Sequence, residues 1–155
     1  MSRRLTQAAV VFIIVFAAAQ FVRPERANPA TDARRRIQAH MPTGGGLVAV
    51  LDRSCRDCHS NETVWPWYTQ VAPLSWLMAR AVTEGRNAVN FSEWTRYQPA
   101  QQRLLLAMSC DDARKGKMPG AYSVLRPETR LSPQDVETIC AAARQADARA
   151  AGGPR

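Results

Sequence analysis

The stretch Cys55-Arg56-Asp57-Cys58-His59 follows an apolar octapeptide, residues 47–54 (LVAVLDRS), and precedes an aromatic block, residues 60–68 (SNETVWPWY). It reads C-x-x-C-H, the attachment signal for c-type haem. Two residues between the thiols match the spacing of the two vinyl groups on one porphyrin edge. Cys55 and Cys58 are therefore the expected thioether positions. His59, carried beneath the ring, is the expected proximal iron ligand through a neutral imidazole nitrogen. Two other chemistries use the same spacing. Thiol–disulfide exchange wants a βαβ setting, and a zinc site wants a second ligand pair close together. No strand-rich pattern surrounds the motif, and Cys110 and Cys140 are far apart and unaccompanied. One covalently attached haem c is the expected cofactor.

The N-terminal end agrees. Ser2-Arg3-Arg4 precede the apolar run AAVVFIIVFAAA, residues 8–19, the layout of an export signal, and Ala17-Ala18-Ala19 offers an A-x-A cleavage site. Continued through Phe21-Val22, a helix of ~17 residues rises roughly 25 Å, just short of the ~30 Å hydrocarbon core. Residues 1–22 are thus either a cleaved signal peptide or a single-pass membrane anchor. Either exports the remainder, and bacterial haem c is attached outside the cytoplasmic membrane. Arg23, Arg26 and Arg34-Arg35-Arg36 follow the run and give no positive-inside signal. The expected location is the inner membrane, facing the periplasm, or the soluble periplasm if the segment is cleaved. The formal net charge of +8 would suit nucleic acid, but export argues against it. The expected partners are an acidic redox protein and the membrane.

Residues 23–46 read as a linker punctuated by Pro24, Pro29, Pro42 and Gly44-Gly45-Gly46, with a short basic helix from Thr31 to His40 capped by Thr31 or Asp32. Residues 47–150 read as the haem domain. Leu47, Val50 and Leu51 share one helical face leading into the motif. Ser75 to Glu84 reads as a helix stopped by Gly85. Gln98 to Lys115 reads as another, with Pro99 in its first turn, an apolar face of Leu104, Leu105 and Met108, and Gly116 at its end. Ser132-Pro133-Gln134-Asp135 opens the last helix, with Ser132 as cap, Pro133 at the first position and a stripe of Val136, Ile139 and Cys140. No segment alternates with period two, so the expected fold is all-α.

The run Cys55 to Tyr68, C-x-x-C-H-S-N-x-T-x-W-P-W-Y, resembles the haem-binding domain family of bacterial membrane-anchored c-type cytochromes. The resemblance extends through Ala72-Pro73-Leu74-Ser75-Trp76-Leu77, Glu84-Gly85-Arg86, Val89 to Trp94, Gly116-Lys117-Met118-Pro119, Tyr122 and Leu131-Ser132. It implies one haem c on a small, cytochrome-c-like helical domain at the outer face of the inner membrane. Two features depart from the family pattern. Ala81 stands where the family often has a histidine, and Cys110 and Cys140 are additional. In an oxidising compartment these two are expected to pair.

The sixth iron ligand sets the mechanism. The candidates are Met118, Met108, Met78, His40 and Lys117. Met118 is preferred because it lies in a Gly-Lys-Met-Pro turn where Pro119 favours extended backbone, and a methionine ligand suits electron transfer. Trp65, Trp67 and Trp76 are expected to wall the haem. Arg86, with Arg80, is expected to pair with propionates, and Tyr68 or Trp94 to hydrogen-bond one. Asn61 and Thr63 are expected to shape the turn after the motif. The leading functional expectation is one-electron transfer by a protein that is not an enzyme. A gas or peroxide sensor, or weak peroxidase, with an open sixth iron site is the alternative. A structural haem-carrying module is a third.

Overall fold

Leu47, Val50 and Leu51 do share a buried face: they lie on one side of α2 (Leu47–Ser54) and enter the core with Ile37, Val89, Phe91, Trp94, Leu106, Ile139 and Ala143. The computed structural model describes residues 2–41 and 46–152. Pro42, Gly44 and Gly45 of the expected linker lie outside the described residues, among which there is no strand. The fold is all-α.

Six further helices follow one another along the chain with α2: α1 (Arg3–Ala19), α3 (Arg56–His59), α4 (Leu74–Ala88), α5 (Pro99–Arg114), α6 (Tyr122–Leu125) and α7 (Pro133–Ala151). α5 and α7 form the main pair. The Arg103–Asp147 ion pair and the Cys110–Cys140 disulfide match low numbers with high, so the two helices run antiparallel. Ser132 and Asp135 form the reciprocal cap of α7, each side chain accepting from the other's backbone N–H. Arg53 at the end of α2 reaches the same Asp135 at 2.7 Å.

One boundary and one helix face differ from expectation. α4 does not stop at Glu84 but runs through Gly85 to Ala88. A Cβ on Gly85 would lie 2.4 Å from the Cys58 carbonyl oxygen and 3.1 Å from Cys58 Cβ. The glycine is there for the close approach of α3, not as a terminator. Gly116, by contrast, follows α5 with φ +66°, the left-handed conformation that ends a helix at little steric cost to glycine. On α5, Leu106 and Ala113 enter the core, whereas Leu104 is exposed. At 100° per residue, Leu105, Met108, Ser109 and Asp112 form an adjacent face, and that face borders a cavity.

The 23–46 segment is no simple tether. Instead of one helix from Thr31, it forms two 3-10 turns, Ala33–Arg35 and Ile37–His40; Asp32 caps the first by accepting from Arg34 N. Ile37 is completely buried. Arg26 donates to the Thr69 carbonyl at 2.8 Å, and Asn28 to the Thr63 carbonyl at 2.9 Å. Apolar burial and carbonyl capping hold the strap against the domain. α1 differs: it buries no residue. At 17 residues it falls short, and no helix among the described residues is long and apolar enough to cross a membrane.

Candidate functional site

The C-x-x-C-H run folds as a single turn because α2 hands its last carbonyls to it: Cys55 N donates to the Leu51 carbonyl, and His59 N to the Cys55 carbonyl at 3.0 Å. Packing against α4 then orients His59. Its Nδ1 lies 2.9 Å from the Gly85 carbonyl and 3.2 Å from that of Val89. Carbonyls only accept, so Nδ1 carries the proton and Nε2 keeps its lone pair. That is the tautomer a metal requires, fixed in the way metal-binding histidines usually are. Burial lowers the His59 pKa, which keeps the ring neutral. Phe91 sits beside the imidazole, ring centroids 6.0 Å apart.

Cys55, Cys58 and His59 all line one cavity of about 920 Å³, its open mouth included, a size suited to a cofactor. Leu51, Val89, Phe91, Leu131 and Ile139 make it largely apolar. Met108 and Met118 also line it, and Arg53 is a cationic member of its wall. The two thiols are not bonded to each other. Burial pushes Cys55 up to about 12 and Cys58 up to about 11, so both are neutral thiols. Ser54 Oγ, also in the wall, is buried without a hydrogen-bond partner. Among the described residues no three His, Cys, Asp or Glu gather to hold a metal ion, which leaves the motif without the second ligand pair that zinc needs. A single histidine nitrogen, two flanking thiols, two thioethers and an apolar, cofactor-sized cavity fit a haem.

Asp57, between the cysteines, does work that the spacing does not announce. It is buried. Its Oδ1 accepts from Val64 N at 3.0 Å, which folds the next turn back, and its carbonyl accepts from Thr63 Oγ1 at 2.6 Å. Its Oδ2 accepts from the Tyr122 hydroxyl at 2.8 Å, with Arg126 Nη1 at 3.5 Å. Burial and this carboxylate push the Tyr122 pKa up, so the phenol keeps its proton. The motif is thereby tied to α6, directly after the Met118–Pro119 turn.

The remaining candidates fall in two groups. Of the five considered as sixth ligand, Met108 and Met118 line the cavity. Met78 is buried in α4, His40 Nε2 bonds the Arg34 carbonyl, and Lys117 pairs with Asp112 at 3.2 Å. Ala81 is not in the cavity wall either. The wall expected of Trp65, Trp67 and Trp76 is built by other residues. Trp67 is 79% exposed, Trp65 Nε1 donates to Asn28 Oδ1, and Trp76 Nε1 donates to the Val22 carbonyl. Trp65 thus serves the strap, Trp76 the end of the N-terminal helix, and Trp67 faces solvent. Arg86 is likewise committed elsewhere. It donates to the Ser60 and Ala27 carbonyls, Asn28 Oδ1 and Thr63 Oγ1 at 2.8–3.0 Å, leaving no fork for a propionate. Arg80 pairs with Glu84 in solvent, Trp94 is core, and the buried Tyr68 hydroxyl has no partner. Asn61 and Thr63 do shape the turn: Asn61 accepts from Asn90 and takes Ser92 Oγ on its backbone N–H.

No curated protein and no solved structure matches the chain. The family model described as "Haem-binding domain" matches residues 14–145, a span that holds the whole cavity wall. With most of its length matched, the chain belongs to the haem-binding domain family and binds haem.

Proposed function

We propose that the chain is a c-type cytochrome that attaches one haem through Cys55 and Cys58 and passes single electrons at the outer face of the inner membrane, anchored by residues 1–22. The observation that carries the reading is the set of Cys55, Cys58 and His59 on one cavity wall, with Nδ1 engaged and Nε2 available. When bound, the haem supplies a one-electron iron couple. The chain's residues do the rest. His59 offers Nε2 to the iron from a rigid turn. Met118, in the wall after α5, would be the preferred second protein donor to the iron, and Met108 lines the same cavity. Leu51, Phe91 and Ile139 exclude water, and Arg53, a cation of the wall already paired with Asp135, would have to share that pairing to meet a propionate. Asp57, through Tyr122, holds the Met118 side of the cavity to the attachment side. The cavity offers no histidine besides His59 as an acid–base group, which favours a carrier over a catalyst. The partner is a redox protein, and a net charge of +8 would favour an acidic one.

One observation favours the second reading, a sensor or weak peroxidase with an open iron site: Met118 is 43% exposed and Met108 53%, so neither thioether is locked against the cavity. The deciding experiment is an optical spectrum of the matured protein in both oxidation states, with carbon monoxide added to the reduced form. Low-spin iron, a red methionine-to-iron band lost in Met118→Ala, and indifference to carbon monoxide are expected. High-spin iron or rapid carbon monoxide binding would move the second reading to first place.

A further inference from the structure

Besides the exposed apolar body of α1 itself, exposed apolar residues recur on the domain in the 67–77 stretch, which bonds the root of α1. Gln20 Oε1 accepts from Ala72 N at 2.9 Å, and the Val22 carbonyl accepts from Trp76 Nε1 at 2.7 Å. These bonds fix where the apolar helix leaves the domain. The surface beside that exit is formed by the 67–77 stretch, which exposes Trp67, Val71, Trp76 and Leu77, next to exposed Phe21 and Val22. Single exposed apolar side chains are ordinary. A stretch exposing two tryptophans, bonded through Ala72 and Trp76 to the foot of a helix that buries nothing, is not. Trp76 has its indole N–H satisfied and its ring still partly in solvent. Such rings, with one polar edge and an apolar body, favour the headgroup level of a bilayer. Arg23, exposed directly after Val22, adds the cation that anionic headgroups attract.

We infer that the 67–77 face is a lipid-docking surface, seated at the headgroup level of the bilayer that holds α1, with Trp67 and Trp76 as its anchors. The inference rests on the reading of residues 1–22 as a membrane anchor. The occupant is a phospholipid surface because the chain's own apolar helix leads into it at this point. A loose tether would leave the domain free to tumble. The hydrogen bonds from Gln20 and Val22 remove that freedom and bring the face down with the helix.

The test uses the full haem-loaded chain in vesicles of phosphatidylcholine and phosphatidylglycerol. With Cys55 and Cys58 bonded to haem and Cys110 to Cys140, Leu77→Cys gives a single thiol for a spin label, and Val124→Cys, exposed on α6, gives a reference. The label at position 77 should collide several-fold more with dissolved oxygen and several-fold less with a water-soluble nickel chelate than the label at 124. Trp67→Ser should shrink that contrast while the chain stays on the vesicles. A chain that stays on the vesicles with equal, water-like accessibility at both positions overturns the docking face and leaves the anchor intact. A chain that washes off the vesicles removes the anchor, and the docking face with it. Shielding of position 77 without lipid, rising with protein concentration, would assign the face to a second copy of the chain instead.

Discussion

At Gly85 a hydrogen atom decides how the site is built. The α3 backbone can approach α4 only because no Cβ stands between them, and the same approach brings Nδ1 of His59 to the Gly85 carbonyl. Gly85→Ala should therefore push the histidine turn outward and lower the stability of the haem-loaded protein by about 1–3 kcal/mol, as measured by guanidinium unfolding, with a shifted Soret band. A second residue acts over a longer span. Tyr122→Phe keeps the ring but removes the hydrogen bond to Asp57. A bond to a carboxylate contributes about 1.5–3 kcal/mol. The expected outcome is a weaker methionine-to-iron band at unchanged far-ultraviolet circular dichroism. An unaltered band would show that the α6 contact does not position Met118. The two residues were unequally legible. Gly85 is locally legible only as a stop signal after a helical run, whereas the reason for it lies on a different helix. The role of Asp57 leaves no local sign, since its partner Tyr122 is 65 residues away and no local pattern links them.

Among the elements, α7 was the most legible, because a capping box and a proline at the first turn are short-range chemistry. The ends of α5 are nearly legible, but its apolar face only in part: Leu105 and Met108 line the cavity, Leu104 is exposed, and the core takes Leu106 and Ala113. Leu104 and Met108 are apolar for different reasons, one in solvent and one at the cavity, and periodicity alone cannot distinguish a core from a cofactor. The aromatic block was misassigned for a related reason: density of tryptophan does not say which surface the rings cover. The α5–α7 pair also carries the disulfide, which closes 30 residues of sequence separation. Cys110→Ser with Cys140→Ser should cost roughly 3–4 kcal/mol on the chain-entropy model. Met108, Ser109, Asp112 and Ala113 on one side of the bond and Ile139 on the other line the cavity. The same variant should therefore broaden the Soret band, and an unfolding midpoint equal to that of the disulfide-bonded parent would rule out a stabilising role.

For the molecule as a whole, a net charge of +8 sets how partners are met. Electron exchange with an acidic protein should slow as the screening length falls from about 30 Å at 0.01 M salt to about 10 Å at 0.1 M, while reduction by a small uncharged reagent should hardly change. Stopped-flow rates over that salt range make the comparison. The core built from α2, α5, α7 and the strap does not depend on the Met118 turn or α6, which touch the motif through Asp57 alone among the hydrogen bonds described here. That division bears on how the protein acquires its cofactor. A few polar contacts, Tyr122 and Arg126 to Asp57 and Lys117 to Asp112, hold this segment, and releasing them would cost far less than unfolding the domain. A flat ring can then be admitted edgewise from the α6 side while the thiols and His59 wait on a wall already in place. Insertion becomes the opening and reclosing of a latch, and the folded body serves as its frame.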